Sequence, residues 1–283
     1  MKSIVIRRND GYELAATCYP AIKTLKGAIM IAPATGIKRK FYHAFAQYLA
    51  TEGFGVITFD NSGIGDSRRK ALAKETANLQ TWGEQDMPAV LDTLISLFPN
   101  TRYHLVGHSA GGQLVGLMPN AVRFSSMFNV ACSSGSLRNM DWAFWFRAQF
   151  FMNCFIPLNN LIWGYTHTQA MGMGEPLPRG VASQWRKWCN GQGYVKTAFG
   201  KTVRHHQYDT LQLPSYWVYA TDDDIANHAN VLDMISVFSG IEAEMVCLDP
   251  AQYSLKAIGH MGFFAPRNAQ FWDIALQWLN RFL

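Results

Sequence analysis

The sequence predicts an α/β fold: a mostly parallel central sheet with helices on both faces, an antiparallel edge and an inserted helical cap. Three observations predict it. Apolar runs of strand length alternate with stretches of helical period in both halves of the chain. A hairpin signal precedes the first alternation, and a long aromatic-rich stretch interrupts it near the middle. With 49% hydrophobic and 16% charged residues in a chain of 283, one large core can be buried without disulfide staples.

Residues 3–19, "SIVIRRNDGYELAATCY", read as two strands joined at Asn9-Asp10-Gly11, where Asp-Gly marks a tight turn. "KGAIMIAP" is a continuous apolar run, as a strand buried on both faces requires. In "KFYHAFAQYLATEG", Phe41, Phe45 and Leu49 recur at helical spacing, and Gly53 supplies the stop. "FGVITFD" is a strand, "WGEQDMPAVLDTLISLF" a helix, "YHLVG" a strand, "AGGQLVGLM" a helix start and "MFNVACSSG" a buried strand. Beyond the interruption, "SYWVYA", "NVLDMISVFSG", "AEMVCLD" and "QFWDIALQWLNRFL" resume as strand, helix, strand and closing helix. Such alternation builds βαβ units and a parallel sheet. The expected organisation is a core from residues 1–135 and 209–283, with a cap inserted at residues 136–208. Two stretches of the cap, "MDWAFWFRAQFFMNCFIPLNNLIWGY" and "VASQWRKWCNGQGY", are helical in character and rich in Trp and Phe. They read as packing for the cap, as an apolar roof over a cleft, or as a membrane-docking face at residues 142–151, the last weakened by a scarcity of lysines.

Net charge is +5, and the basic clusters at residues 38–40, 68–70 and 204–206 are short. Each is read as a solvated face, and nucleic acid is not an expected partner. Cys18, Cys132, Cys154, Cys189 and Cys247 include no C-x-x-C pair, the usage of reduced thiols in a cytoplasmic protein. The opening "MKSIVIRRND" turns polar too early for a signal peptide, and no apolar run is long enough to span a bilayer. His43, His108, His167, His205, His206 and His228 lack metal-ligand spacing, so no metal or cofactor is expected.

Chemistry concentrates at residues 103–116. Gly107-His108-Ser109-Ala110-Gly111 fits G-x-S-x-G, in which a strand turns sharply into a helix and exposes the serine. Glycines suit the flanks of such a turn, where a side chain would meet crossing backbone. A serine hydroxyl becomes a nucleophile beside a base, most often a histidine held by a carboxylate. "YATDDDIAN" offers the carboxylate straight after one strand, and "IGHMGFF" offers the histidine after the next. Asp223 is the expected acid with Asp222 the alternative, His260 is the expected base, and Asp224 is expected to cap the following helix. His108, the variable residue of the turn, is expected to pack. Backbone N–H groups for an oxyanion are expected from Ala110 and from the turn "IAPATGIKRKFY", at Ala34 or, next, Thr35.

Together "YHLVGHSAGGQL", "FGVITFDNSGIGDS", "YATDDDIA" and "IGHMGFF" resemble the α/β-hydrolase superfamily, in a bacterial branch near the serine-aminopeptidase-like hydrolases. The resemblance spans both parts of the core and little of the cap. It implies an α/β-hydrolase fold with Ser109 as nucleophile, and Asp223 and His260 completing a catalytic triad. Two places depart from the family's pattern. Ala32-Pro33 stand where His-Gly is usual, and in Asp60-Asn61-Ser62-Gly63-Ile64-Gly65-Asp66-Ser67 a serine replaces the usual arginine. A serine nucleophile argues against haloalkane dehalogenase and epoxide hydrolase chemistry. The expected activity is cleavage of a small-molecule carboxylic ester or thioester, its apolar acyl part lying under the aromatic cap. An aminopeptidase would need an acidic anchor, for which Glu175 and Asp141 are the candidates. A ligand-binding protein on the same scaffold would have no need of the three residues.

Overall fold

In the computed structural model, which describes residues 1–283, β1 (Lys2–Arg7) and β2 (Glu13–Tyr19) pair antiparallel around a turn where Gly11 takes φ 82°. Next come β3 (Gly27–Ala32), α1 (His43–Thr51), β4 (Phe54–Phe59), α2 (Leu79–Thr81), α3 (Met87–Leu97), β5 (Tyr103–His108), α4 (Ala110–Gln113) and β6 (Ser126–Val130). Every residue of β3, β4, β5 and β6 is buried, which is why their runs are continuously apolar rather than alternating. Between β6 and β9 lie α5 (Trp142–Phe150), α6 (Ile156–Ile162), a ribbon of β7 (Tyr165–Thr166) and β8 (Leu177–Pro178), and α7 (Arg179–Cys189). The chain ends with β9 (Pro214–Ala220), α8 (His228–Ile235), β10 (Glu242–Leu248) and α9 (Trp272–Asn280).

The eight-stranded sheet runs β1-β2-β4-β3-β5-β6-β9-β10, antiparallel at β1 and β2 and parallel from β4 onward. This is the α/β-hydrolase fold. Strand order reverses direction at β3, which has β4 on one side and β5 on the other. Ligands of open α/β sheets bind outside the carboxyl ends of the strands at such a switch point. Ala32 at the end of β3 is in register with Gly107 of β5, so the turn after β3 and the turn after β5 border one crevice.

The segment between β6 and β9 divides its aromatics between two environments. Phe151, Met152, Ile156, Val181 and Trp188 join the same apolar core as the sheet, while Trp142, Phe146 and Leu161 stand exposed. No helix is long and apolar enough to cross a membrane.

Local departures from the expected elements have physical causes. The helix expected from Trp82 is interrupted by a π turn, Trp82–Asp86, just before Pro88, which has no N–H for the helical ladder. The helix after Ser109 lasts one turn and passes into a 3₁₀ turn, Val115–Leu117. Its glycines serve close approach rather than helix length, and a Cβ on Gly116 would lie 2.4 Å from the Tyr208 ring. Asn227, not Asp224, caps α8, its side chain accepting the Asn230 N–H at 3.0 Å.

The cluster at residues 38–40 is not a uniformly solvated face. Lys38 and Lys40 are exposed, but Arg39 is buried and its guanidinium pairs with the fully buried Asp60 carboxylate. Asp60 also accepts the backbone N–H of Arg39 at 2.6 Å and of Asp66 at 3.0 Å. An arginine from the turn after β3 therefore meets the motif that lacks its own arginine at Ser62. Removing one partner of a buried pair strands the other, at about 3–5 kcal/mol. Arg39→Met is expected to lose stability on that scale in urea denaturation, and a loss under about 1 kcal/mol would show the pair to be dispensable.

Candidate active site

At the end of β5 the backbone reverses at Ser109, with φ 49° and ψ −115°, a region that costs a non-glycine residue about 1–3 kcal/mol. Crowding explains the glycines around it. A Cβ on Gly111 would lie 2.1 Å from the Ala32 carbonyl oxygen, and one on Gly107 would lie 2.5 Å from Gly112 Cα. A Cβ on Gly112 would lie 2.3 Å from Asn129 Oδ1. The Ser109 N–H donates to the Val130 carbonyl at 2.9 Å, and the Ser109 carbonyl accepts the N–H groups of Gly112 and Gln113 at 3.1 Å. Ser109 lines a cleft of about 250 Å³ with Thr35, Gln113, Met173, Trp185 and His260.

Asp223 follows β9, and His260 lies in the loop between β10 and α9. His260 Nδ1 donates to Asp223 Oδ2 at 2.8 Å, and Asp223 Oδ1 accepts the N–H groups of Ile225 and Ala226 at 2.9 Å each. Burial opposes charge on both groups, but their mutual attraction and shared hydrogen bond outweigh it. The Asp223 carboxyl is held below its ordinary value and the His260 imidazole above its own. A carboxylate only accepts, so the proton sits on Nδ1 and Nε2 keeps its lone pair. Ser109 and His260 share the cleft without a direct hydrogen bond, a spacing that often tightens only when substrate is bound.

Asp222, the alternative acid, meets different partners. Its carboxylate accepts the N–H groups of Ile258 and Gly259 at 2.9 Å each and so pins the loop that carries His260. Asp224 is exposed on the surface.

A chain of hydrogen bonds joins the two turns to the histidine loop. The Ala34 N–H donates to Tyr42 Oη at 2.9 Å, Tyr42 Oη lies 2.8 Å from His108 Nδ1, and His108 Nε2 lies 2.9 Å from the His260 carbonyl oxygen. That carbonyl can only accept, so Nε2 carries the proton. Burial, reinforced by the nearby His260 charge, pushes His108 down to about 3 and keeps it neutral. Phe41, Tyr42 and Phe264 surround its ring. Nδ1 therefore accepts from the Tyr42 hydroxyl, and every donor in the chain is used. His108 packs, as its position suggested.

The same chain corrects one expectation. The Ala34 N–H is committed to Tyr42, so Ala34 is not a free donor toward the cleft. Ala34 and Thr35 both line the cleft, but among the expected donors only the N–H groups of Thr35 and Ala110 make no hydrogen bond within the protein. Sequence reasoning missed Tyr42 and the loop-pinning role of Asp222. Tyr42 lies in the turn already singled out, but no pattern shows which backbone group its hydroxyl meets. The two acidic anchors considered for a peptidase are otherwise engaged. Glu175 pairs with Lys38 at 2.8 Å, Asp141 caps α5 through the Ala143 N–H at 3.1 Å, and neither lines the cleft.

The model of the Alpha/beta hydrolase family matches residues 32–268, and the chain belongs to that family. Solved structures share the fold across nearly the whole length. A soluble variant of monoglyceride lipase from Saccharomyces cerevisiae, in complex with a substrate analog, is 14% identical with a TM-score of 0.66, covering 99% of this chain and 96% of that one. A thermophilic esterase from Thermogutta terrifontis is 15% identical at TM-score 0.60, covering 99% of each chain. A carboxyl esterase from Bacillus coagulans is 12% identical at TM-score 0.61, covering 99% of this chain and 98% of that one. At these identities the likeness is one of fold. No curated protein matches the sequence.

The donor assignments predict separate titrations for the two histidines, readable by NMR of labelled imidazoles. His108 is expected to stay neutral from about pH 8 down to about pH 5, while His260 takes its proton above the ordinary 6.5. A His108 titrating near 6.5 would remove the basis for the hydrogen-bond chain.

Proposed function

We propose that the protein is a serine hydrolase that cleaves a carboxylic ester or thioester through an acyl-enzyme at Ser109. The observation that carries this reading is the 2.8 Å hydrogen bond of His260 Nδ1 to Asp223, which leaves Nε2 as a base in the cleft that the strained Ser109 lines. Residues 136–208 act as the cap over that cleft.

His260 Nε2 takes the Ser109 proton as Oγ attacks the substrate carbonyl. The oxyanion that forms is received by the N–H groups of Ala110 and Thr35, each such donor contributing about 10²–10³ in rate. Collapse of the tetrahedral species expels the alcohol or thiol, to which the His260 imidazolium gives the proton. Water, deprotonated by the same imidazole, then attacks the acyl-enzyme, and the acid leaves as the imidazolium returns the proton to Ser109 Oγ. Because His108 is neutral, no fixed positive charge opposes the imidazolium that forms on His260, whose ring centroid is 5.6 Å away.

Removal of an N-terminal residue is less well supported, since no Asp or Glu lines the cleft to hold a substrate amine. A binding protein without turnover has no use for the Asp223–His260 geometry.

A fluorophosphonate probe, read by intact mass, is expected to add once to the wild type and not to Ser109→Ala; labelling that survives in Ser109→Ala would place the nucleophile elsewhere. Asp223→Asn is expected to lose on the order of 10⁴ in kcat by presenting the wrong imidazole tautomer, and Asp222→Asn far less. The reverse ranking would make Asp222 the acid. The base must be neutral, and its value is raised, so kcat/KM is expected to rise with pH through a midpoint above 6.5 and to fall away toward acid.

A further inference from the structure

The catalytic cleft does not end at its own wall. A second cavity of about 220 Å³ adjoins it, and Gly135, Met173, Trp185, Cys189 and Ile225 line both. Beyond that shared boundary the second chamber is formed by Met140, Phe144, Ala148, Phe151, Met152 and Met171, with Arg147 the one charged residue of its lining. Arg147 makes no ion pair, and its guanidinium lies 6.0 Å from the centroid of the Phe144 ring. Ten of the twelve lining residues are hydrophobic. Such a surface offers nothing to the hydroxyls of a sugar or to a peptide backbone, which would lose their hydrogen bonds to water on entry. Its methionines are unbranched and adaptable, and can follow the several conformers of a flexible chain.

Resting on the reading of Ser109 as an acylated nucleophile, we propose that the second chamber holds the distal part of the substrate's acyl chain. The substrate class is then medium-chain acyl esters or thioesters, octanoyl to dodecanoyl. The chain runs from Ser109 past Trp185 and Cys189 into the space beneath α5. Ala148 sets its length: it is buried on α5, lines the second chamber alone, and its small side chain leaves room that a larger one would fill. Each methylene removed from water contributes about 0.8 kcal/mol, or up to about fourfold in kcat/KM.

The experiment uses the full chain and p-nitrophenyl esters from acetate to dodecanoate. kcat/KM is expected to climb from butyrate to decanoate by up to about fourfold per methylene. Ala148→Phe is expected to cut decanoate turnover by at least about tenfold and leave butyrate within about twofold, because it overfills the distal chamber alone. Ala148→Leu should stop the climb at an intermediate length, and carries the comparison if the phenylalanine variant fails to fold. A second series, butyrate esters of alcohols from butanol to decanol, should show no climb. The proposal is overturned if butyrate serves as well as decanoate, if the climb follows the alcohol instead, or if the Ala148 variants lower all esters equally. Failure of the hydrolase reading looks different: no ester, butyrate included, is turned over and Ser109 takes no probe.

Discussion

Everything at the site depends on how closely the turn after β5 approaches the end of β3. The Ala32 carbonyl oxygen occupies the place where a side chain at residue 111 would begin, so the two strand ends can stand this close only with glycine there. Beside that contact Ser109 takes positive φ, and the Val130 carbonyl and the first turn of α4 hold it there. The strain is compensated by the surrounding sheet, whose central strands are wholly buried.

Around this point, three loops from distant parts of the chain are fixed to one another by polar groups that face no substrate. Tyr42 and His108 connect the turn after β3 to the histidine loop, Asp222 pins that loop from below, and Arg39 with Asp60 anchors the same turn to the end of β4. Tyr42, His108, Arg39 and Asp60 are buried, Asp222 is exposed, and each is hydrogen-bonded. A displacement of one loop would therefore leave unpaired polar atoms on another, and the three hold their positions together.

The fold was legible because parallel strands buried on both faces leave continuous apolar runs, and because Asn9-Asp10-Gly11 can scarcely be other than a tight turn. The sharp turn at Ser109 and the loop that carries His260 were legible for a similar reason, since glycine flanks and position after a strand are local properties. The choice between Asp222 and Asp223 was not settled by pattern. Two adjacent carboxylates in one loop point to different partners, one to backbone N–H groups and one to an imidazole, and only the path of the loop between β9 and α8 decides which. Ala34 failed as an expected donor for a related reason: whether its N–H is free depends on a phenol eight residues along the chain. Arg39 departs from the solvated character usual in short charge runs, and its partner at Asp60 is visible only once β4 lies beside β3.

Ser109, Asp223 and His260 are separated by long stretches of chain that include the whole segment between β6 and β9. Closing loops of that size costs entropy before any contact repays it, and the three residues come together only in the assembled sheet. A chain emerging from the ribosome presents Ser109 well before His260, its proposed base, has been synthesised, and a serine hydroxyl without a base is a poor nucleophile. On the proposed reading of Ser109, the order of the three residues along the chain thus keeps an incomplete chain chemically quiet while it is still exposed to other proteins.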